Sequence, residues 1–162
     1  MKYLKLFEAY ICESRIPRIR LNGEYYHGSV IQNNEFFNDL DPSYSGWDAV
    51  WFSSEESVSQ EFSEEACRDE DNEVKVLFKV NIKCTGIADI NYELFKEIID
   101  KNSLYDPREY IKILIDKGFN GWLVPGSLGH IQYDDIAIFN TDCFKVIAAK
   151  FYFNQKFNHE EE

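Results

Sequence analysis

Three short stretches of this chain carry side chains that could act together on a dinucleotide. Tyr26-His27-Gly28-Ser29 offers an imidazole, a backbone position bare of any side chain, and a hydroxyl. Trp51 and Phe62 stand eleven positions apart and offer two aromatic faces, with Ser59 eight positions after the first. Asp135 opens Asp135-Ile136-Ala137-Ile138-Phe139-Asn140, an acid at the head of an apolar run. Cleaving the bond between nicotinamide and ribose calls for a backbone clamp on the carboxamide, aromatic surface for the ring, and a hydroxyl or imidazole for the distal ribose. It also needs a carboxylate that steadies the oxocarbenium character developing as nicotinamide leaves. Each part has a candidate here.

Taken singly, each residue has a plainer reading. His27 would serve as a buried strand histidine, Trp51, Phe52 and Phe62 as core, Ser59 as an ordinary helix serine, and Asp135 as a turn residue. Only their order and spacing join them into a site.

The elements that must position these residues are legible in part. Residues 24–29 predict a short strand and 48–52 a second, after a polar loop over 33–45 that contains Pro42. Ser53 or Ser54 followed by Glu55 and Glu56 is a helix-start pattern, and a helix over 55–68 follows. Val74, Val76, Phe78, Val80 and Ile82 alternate with Lys75, Leu77, Lys79 and Asn81, the period of a half-buried strand. Helices are expected over about 2–14, 91–99 and 107–117, the last with Asp106 as N-cap, Pro107 first and Gly118 as terminator. Strands over 121–124, 135–139 and 144–152 and an acidic tail over 156–162 complete the chain. Neither a repeat nor a linker interrupts it, so 1–162 reads as one α+β domain built on antiparallel sheets.

Composition narrows the function classes. Sixteen per cent of the residues are aromatic, enough large side chains for a real core. A formal net charge of −12 leaves no basic track for phosphates and argues against general nucleic-acid binding. Solubility explains that acidity most simply, and attraction to a basic protein is the functional alternative. Arg15, Arg18 and Arg20 make one local positive patch, a solvated surface or a pyrophosphate contact. Cys12, Cys67, Cys84 and Cys143 are widely spaced, which suggests reduced core cysteines. Charges interrupt the first residues too early for a signal segment, and no apolar run reaches membrane-spanning length, so the cytoplasm is the expected compartment. Gly126-Ser127-Leu128-Gly129 lacks the lysine of a phosphate loop, there is no G-x-S-x-G elbow, and three dispersed histidines do not make a metal site.

Together the three motifs resemble the ADP-ribosyltransferase superfamily, in its histidine–tyrosine–glutamate branch shared by diphtheria-toxin-like enzymes and poly-ADP-ribose polymerases. The resemblance runs from about residue 25 to 147. It implies a split antiparallel β-sandwich with peripheral helices, and NAD as cofactor. It also implies that His27, Gly28 and Ser29 bind the cofactor, that Trp51, Ser59 and Phe62 seat the nicotinamide, and that Asp135 is the catalytic carboxylate. Trp and Phe replace the two tyrosines, and Asp135 is one methylene shorter than the family's glutamate. In similar enzymes the loop before the acidic strand selects the acceptor, which nominates Ser127, His130 and Gln132.

The expected activity is therefore transfer of ADP-ribose from NAD to a macromolecule, a protein first and nucleic acid second, by a monomeric bacterial or phage effector. Two alternatives stand beside it: a transferase fold kept as a binding module for a basic protein, and hydrolysis of NAD without an acceptor.

Overall fold

A computed structural model describes residues 16–32, 35–36, 40–43, 48–66, 74–90, 107–124 and 134–153. The helices expected over 2–14 and 91–99, the loop carrying Ser127, His130 and Gln132, and the acidic tail lie outside the described residues. Seven strands and two α-helices follow one another as β1 (Arg18–Gln32), β2 (Glu35–Phe36), β3 (Val50–Ser53), α1 (Glu56–Ala66), β4 (Val74–Asp89), α2 (Pro107–Asp116), β5 (Gly121–Val124), β6 (Asp135–Ile138) and β7 (Phe144–Phe153).

The strands run β2-β1-β3-β6-β5-β4-β7, and β1 also pairs with β4. Following β1 to β3, β6, β5, β4 and back to β1 closes a five-stranded barrel, with β2 and β7 appended outside the ring. This corrects the expected split antiparallel sandwich with peripheral helices: the described residues are mostly strand, their sheet closes into a barrel, and two α-helices are present among them. The reason lies in β1 and β4. Both are far longer than the segments that alternation marks out, and they pair from Arg18↔Ala88 to Ile31↔Val74. The ladder shifts register between Ile19 and Leu21, and Gly86 has a φ of 71°, a left-handed conformation that suits glycine. Near that glycine β4 changes partner. Its first half pairs with β7 through Ile82↔Phe144, and its last residues run parallel to β5 through Ile87↔Gly121. One long strand thus serves both walls, and the two layers become one ring.

Two apolar clusters follow from the alternation. Val76, Phe78, Val80, Ile82 and Cys84 of β4 meet Val50, Phe52, Ile136 and Ile138 inside the barrel. On the outer surface Ala88, Trp122, Val124 and Ala137 are covered by Tyr110, Ile111 and Leu114 of α2. Leu77 breaks the inward-only pattern because it lies opposite Gly28, on the face that packs under α1, and it is buried as well.

Helix α2 ends where Gly118 takes a φ of 79° and Phe119 N–H bonds back to the Leu114 carbonyl at 3.0 Å. Arg18 reinforces that end, donating to the Lys117 and Gly118 carbonyls at 2.7 and 3.2 Å while its guanidinium lies 3.8 Å over the Phe119 ring. Within the arginine patch, Arg18 is accordingly a helix cap. Cys84 and Cys143 are joined by a disulfide, where reduced cysteines were expected. A sequence separation of 59 carries no signal for this pairing, which depends on the β4–β7 register placing Phe144 opposite Ile82.

Candidate functional site

The barrel has one loosely joined seam. β1 and β3 share only the pair Tyr26↔Ser53, whereas β3 and β6 are in register over Val50↔Ile138 through Ser53↔Asp135. Beyond that bridge a side chain replaces the ladder: His27 Nδ1 lies 2.6 Å from the Trp51 carbonyl oxygen. A carbonyl can only accept, so Nδ1 carries the proton and donates, and in the neutral ring Nε2 is an acceptor. The imidazole is 8% exposed and sits between the rings of Phe52 and Phe78, at centroid distances of 5.7 and 6.3 Å.

A cavity of about 530 Å³ opens at this seam, lined by His27, Gly28, Trp51, Phe52, Ser53, Ser59, Phe62 and Asp135. Its size and its mix of aromatic walls with a few polar groups are those of small-molecule sites. Three segments far apart in sequence converge here. Of the residues expected to bind cofactor, His27, Gly28, Trp51, Ser59 and Phe62 all line the cavity, and so does Asp135. Ser29 does not; it is buried opposite Val76, on the barrel side of β1. Phe52 and Ser53 line the cavity without having been singled out for the site. Ser53 was visible only as part of a helix start, and its register with Asp135 is a tertiary fact.

Gly28 earns its place by steric necessity. A Cβ there would fall within the Ser59 carbonyl and crowd the backbone nitrogen of Ser63, so helix α1 can lie on β1 only because this position has no side chain. The close approach holds Ser59, 1% exposed, against the cavity. Ser53 Oγ accepts the Glu55 N–H at 3.0 Å as the chain turns into α1. Ser54 fastens the start of β6, its Oγ accepting the Asp134 N–H at 2.9 Å and its own N–H donating to the Asp134 carbonyl at 3.3 Å. The Asp135 backbone is therefore held from both sides. Phe62, on the outer face of α1, is 51% exposed and forms the lip of the cavity.

Electrostatically the site is defined by Asp135. Burial against the apolar wall pushes its carboxyl pKa up to about 6 from the ordinary 3.8. Outside the cavity lining, burial first and the nearby Asp134 second push the Tyr25 hydroxyl above its usual value. A carboxylate partly withdrawn from water beside aromatic rings can stabilise developing positive charge better than one in open solvent. Among the described residues no group of histidines, cysteines and acids is arranged to hold a metal ion.

No known protein family matches the chain, and no curated protein is similar to it in sequence. Structure reaches further. A chain in the crystal structure of the M. tuberculosis MbcT–MbcA toxin–antitoxin complex superposes with a TM-score of 0.59 at 8% identity, covering 94% of this chain and 93% of that one. At that identity the likeness establishes a shared fold. Among the described residues no helix is long and apolar enough to cross a membrane.

Proposed function

We propose that this protein cleaves the nicotinamide–ribose bond of NAD in the β1–β3 seam and transfers the ADP-ribosyl group to a macromolecular acceptor, a protein in the first instance. The observation that carries this reading is the convergence of His27, Gly28, Trp51, Ser59, Phe62 and Asp135 on one cavity. In it, Trp51 and Phe62 supply apolar faces for the nicotinamide ring, while the Gly28 backbone and the Ser59 hydroxyl meet its carboxamide. His27, oriented by the Trp51 carbonyl, presents Nε2 to the distal ribose. Asp135 takes a hydroxyl of the reacting ribose and stabilises the cationic sugar as the bonding electrons leave with nicotinamide. The acceptor then adds to the anomeric carbon and gives up a proton. The missing methylene of Asp135 is met by the fixed register of β6 on β3, which holds the carboxylate at the cavity wall.

The fold shared with a chain of a toxin–antitoxin complex supports an effector role in which a protein partner restrains the activity, and a net charge of −12 suits a basic partner. Incubation with NAD labelled on the adenylate side, with and without cell lysate, tests the reading. Free nicotinamide together with label on a discrete macromolecule is the expected result. Nicotinamide with free ADP-ribose alone would move the assignment to hydrolysis. Absence of both, with no NAD binding by calorimetry, would refute it.

A further inference from the structure

Outside the ring, the sheet leaves one long strand edge open. β7 is ten residues long and ends the strand order, so one side pairs with β4 and, among the described residues, the other pairs with no strand. The N–H and C=O groups along such an edge are a template for a further strand. Register assigns the two faces of β7. Phe144, Val146, Ala149 and Phe151 stand opposite Ile82, Val80, Phe78 and Val76, which face the barrel interior, and cross-strand partners share a face. Lys145 and Lys150 stand opposite Asn81 and Leu77, on the other face, with Lys79. Lys79 and Lys150 each bind a carboxylate, Glu24 and Glu56, at 2.7 Å. Lys145 is exposed and has no carboxylate partner among the described residues.

Lysines on an edge guard against self-pairing, and a second copy would bring the same lysines and the same net charge of −12. A guard does not account for the apolar side chains. Val146, Ile147 and Phe151 are 39, 47 and 55% exposed and lie on one open-edged strand. Clustered exposed apolar surface marks an interaction site. Its occupant must bring backbone groups to the edge, apolar side chains beside Val146 and Phe151, and acids beside Lys145 and Lys150.

We propose that β7 docks, as an added strand, an extended segment of a partner protein in which apolar and acidic residues alternate. Hydrogen bonds to the open edge supply affinity, and the alternation supplies specificity. Repulsion by the acidic body keeps such a segment off the rest of the surface and leaves this edge as its place. The segment is acidic whatever the charge of the rest of its protein. None of these β7 residues lines the cavity, so the proposal does not rest on the NAD reading.

Three fluorescently labelled peptides of about ten residues, the reach of the edge, test it: alternating valine and glutamate, alternating valine and lysine, and valine and glutamate in two blocks. Anisotropy titrations of the wild type should show the first binding about tenfold more tightly than either of the others. Amide hydrogen exchange should slow in β7 when it binds. Lys145→Glu should weaken the valine–glutamate peptide about tenfold and strengthen the valine–lysine one, a reversal that damage to the fold would not produce. Equal binding of the alternating and blocked peptides, protection that leaves β7 unchanged, or no binding of any peptide by the wild type overturns the proposal. So does concentration-dependent dimerisation in sedimentation that slows exchange in β7, which would make a second copy the occupant.

Discussion

Replacing Asp135 by asparagine should make the protein more stable and inactive, and the stability gain should depend on pH. Burial lifts the Asp135 pKa from 3.8 to about 6. Well below pH 3.8 the carboxyl is neutral in both the folded and unfolded chain, and the substitution changes little. Between the two values the unfolded chain ionises while the folded protein keeps its proton, so the wild type loses stability as pH rises. Above about pH 6 the loss is complete. A difference of about 2 pKa units corresponds to about 3 kcal/mol, an upper bound because solvent reaches Asp135 through the cavity mouth. For a chain of this size that is roughly 6–12 °C in melting temperature. Thermal melts of wild type and Asp135→Asn between pH 4 and 8 measure it directly: the curves should coincide at the acid end and part by several degrees at pH 7.5. Nicotinamide release by the wild type should rise about tenfold per pH unit up to about pH 6 and level off, since the ionised carboxylate is the working form, and should vanish in the variant. A melting difference that is absent, or the same at every pH, would show that Asp135 is not desolvated as its surroundings imply.

Other perturbations separate scaffold from site. Gly28→Ala drives a Cβ into the Ser59 carbonyl, so α1 must lift off β1; a loss of more than about 3 kcal/mol in a urea titration is expected, with NAD binding lost in parallel. Phe62→Ala should be nearly silent in stability because the ring is 51% exposed, yet raise KM for NAD about tenfold by removing one aromatic wall. His27→Ala removes the bond that spans the β1–β3 seam and should cost both about 1–2 kcal/mol in melts and substrate affinity in steady-state kinetics. Asp135→Glu lengthens the acid where the β6 register already holds the shorter side chain at its working distance, so nicotinamide release should fall; an increase would show that reach limits the wild type.

How much of this was legible in sequence depended on the range of the interaction responsible. Local signals served well. The alternation from Val74 to Ile82, Pro107 opening α2 and Gly118 closing it, and the serine-acid pattern before α1 all act over a few residues, and the structure has those elements. Strand ends did not, because β1 and β4 extend through glycines and a register shift that break alternation without ending the strand. Closure of the barrel was invisible for the same reason, since it rests on β4 changing partner near Gly86. Of the residues that the family resemblance nominates, His27, Gly28, Trp51, Ser59, Phe62 and Asp135 line one cavity, while the placement of Ser53 beside Asp135 required the β3–β6 register. The glycine clamp that the resemblance implies likewise hid a packing reason for Gly28 that only the α1–β1 contact exposes.

Barrel closure also bears on why the site is where it is. Four of the five junctions in the ring are ladders of several pairs. Among the described residues, β1 and β3 are the pair in the ring that meets at a single bridge, so a ligand can enter at that seam without breaking sheet hydrogen bonds. The Trp51 carbonyl left without a strand partner is taken up by His27, which turns a cost of the open seam into a means of fixing an imidazole tautomer at the cavity wall. On the opposite strand the continuous β3–β6 ladder, extended by Ser54 and Asp134, fixes the Asp135 backbone while its side chain faces the cavity, partly withdrawn from solvent. The same closed ring that displaced the expected sandwich would therefore supply what the proposed charge-stabilising site requires: an opening at the seam, and a carboxylate whose backbone position is set by strand register.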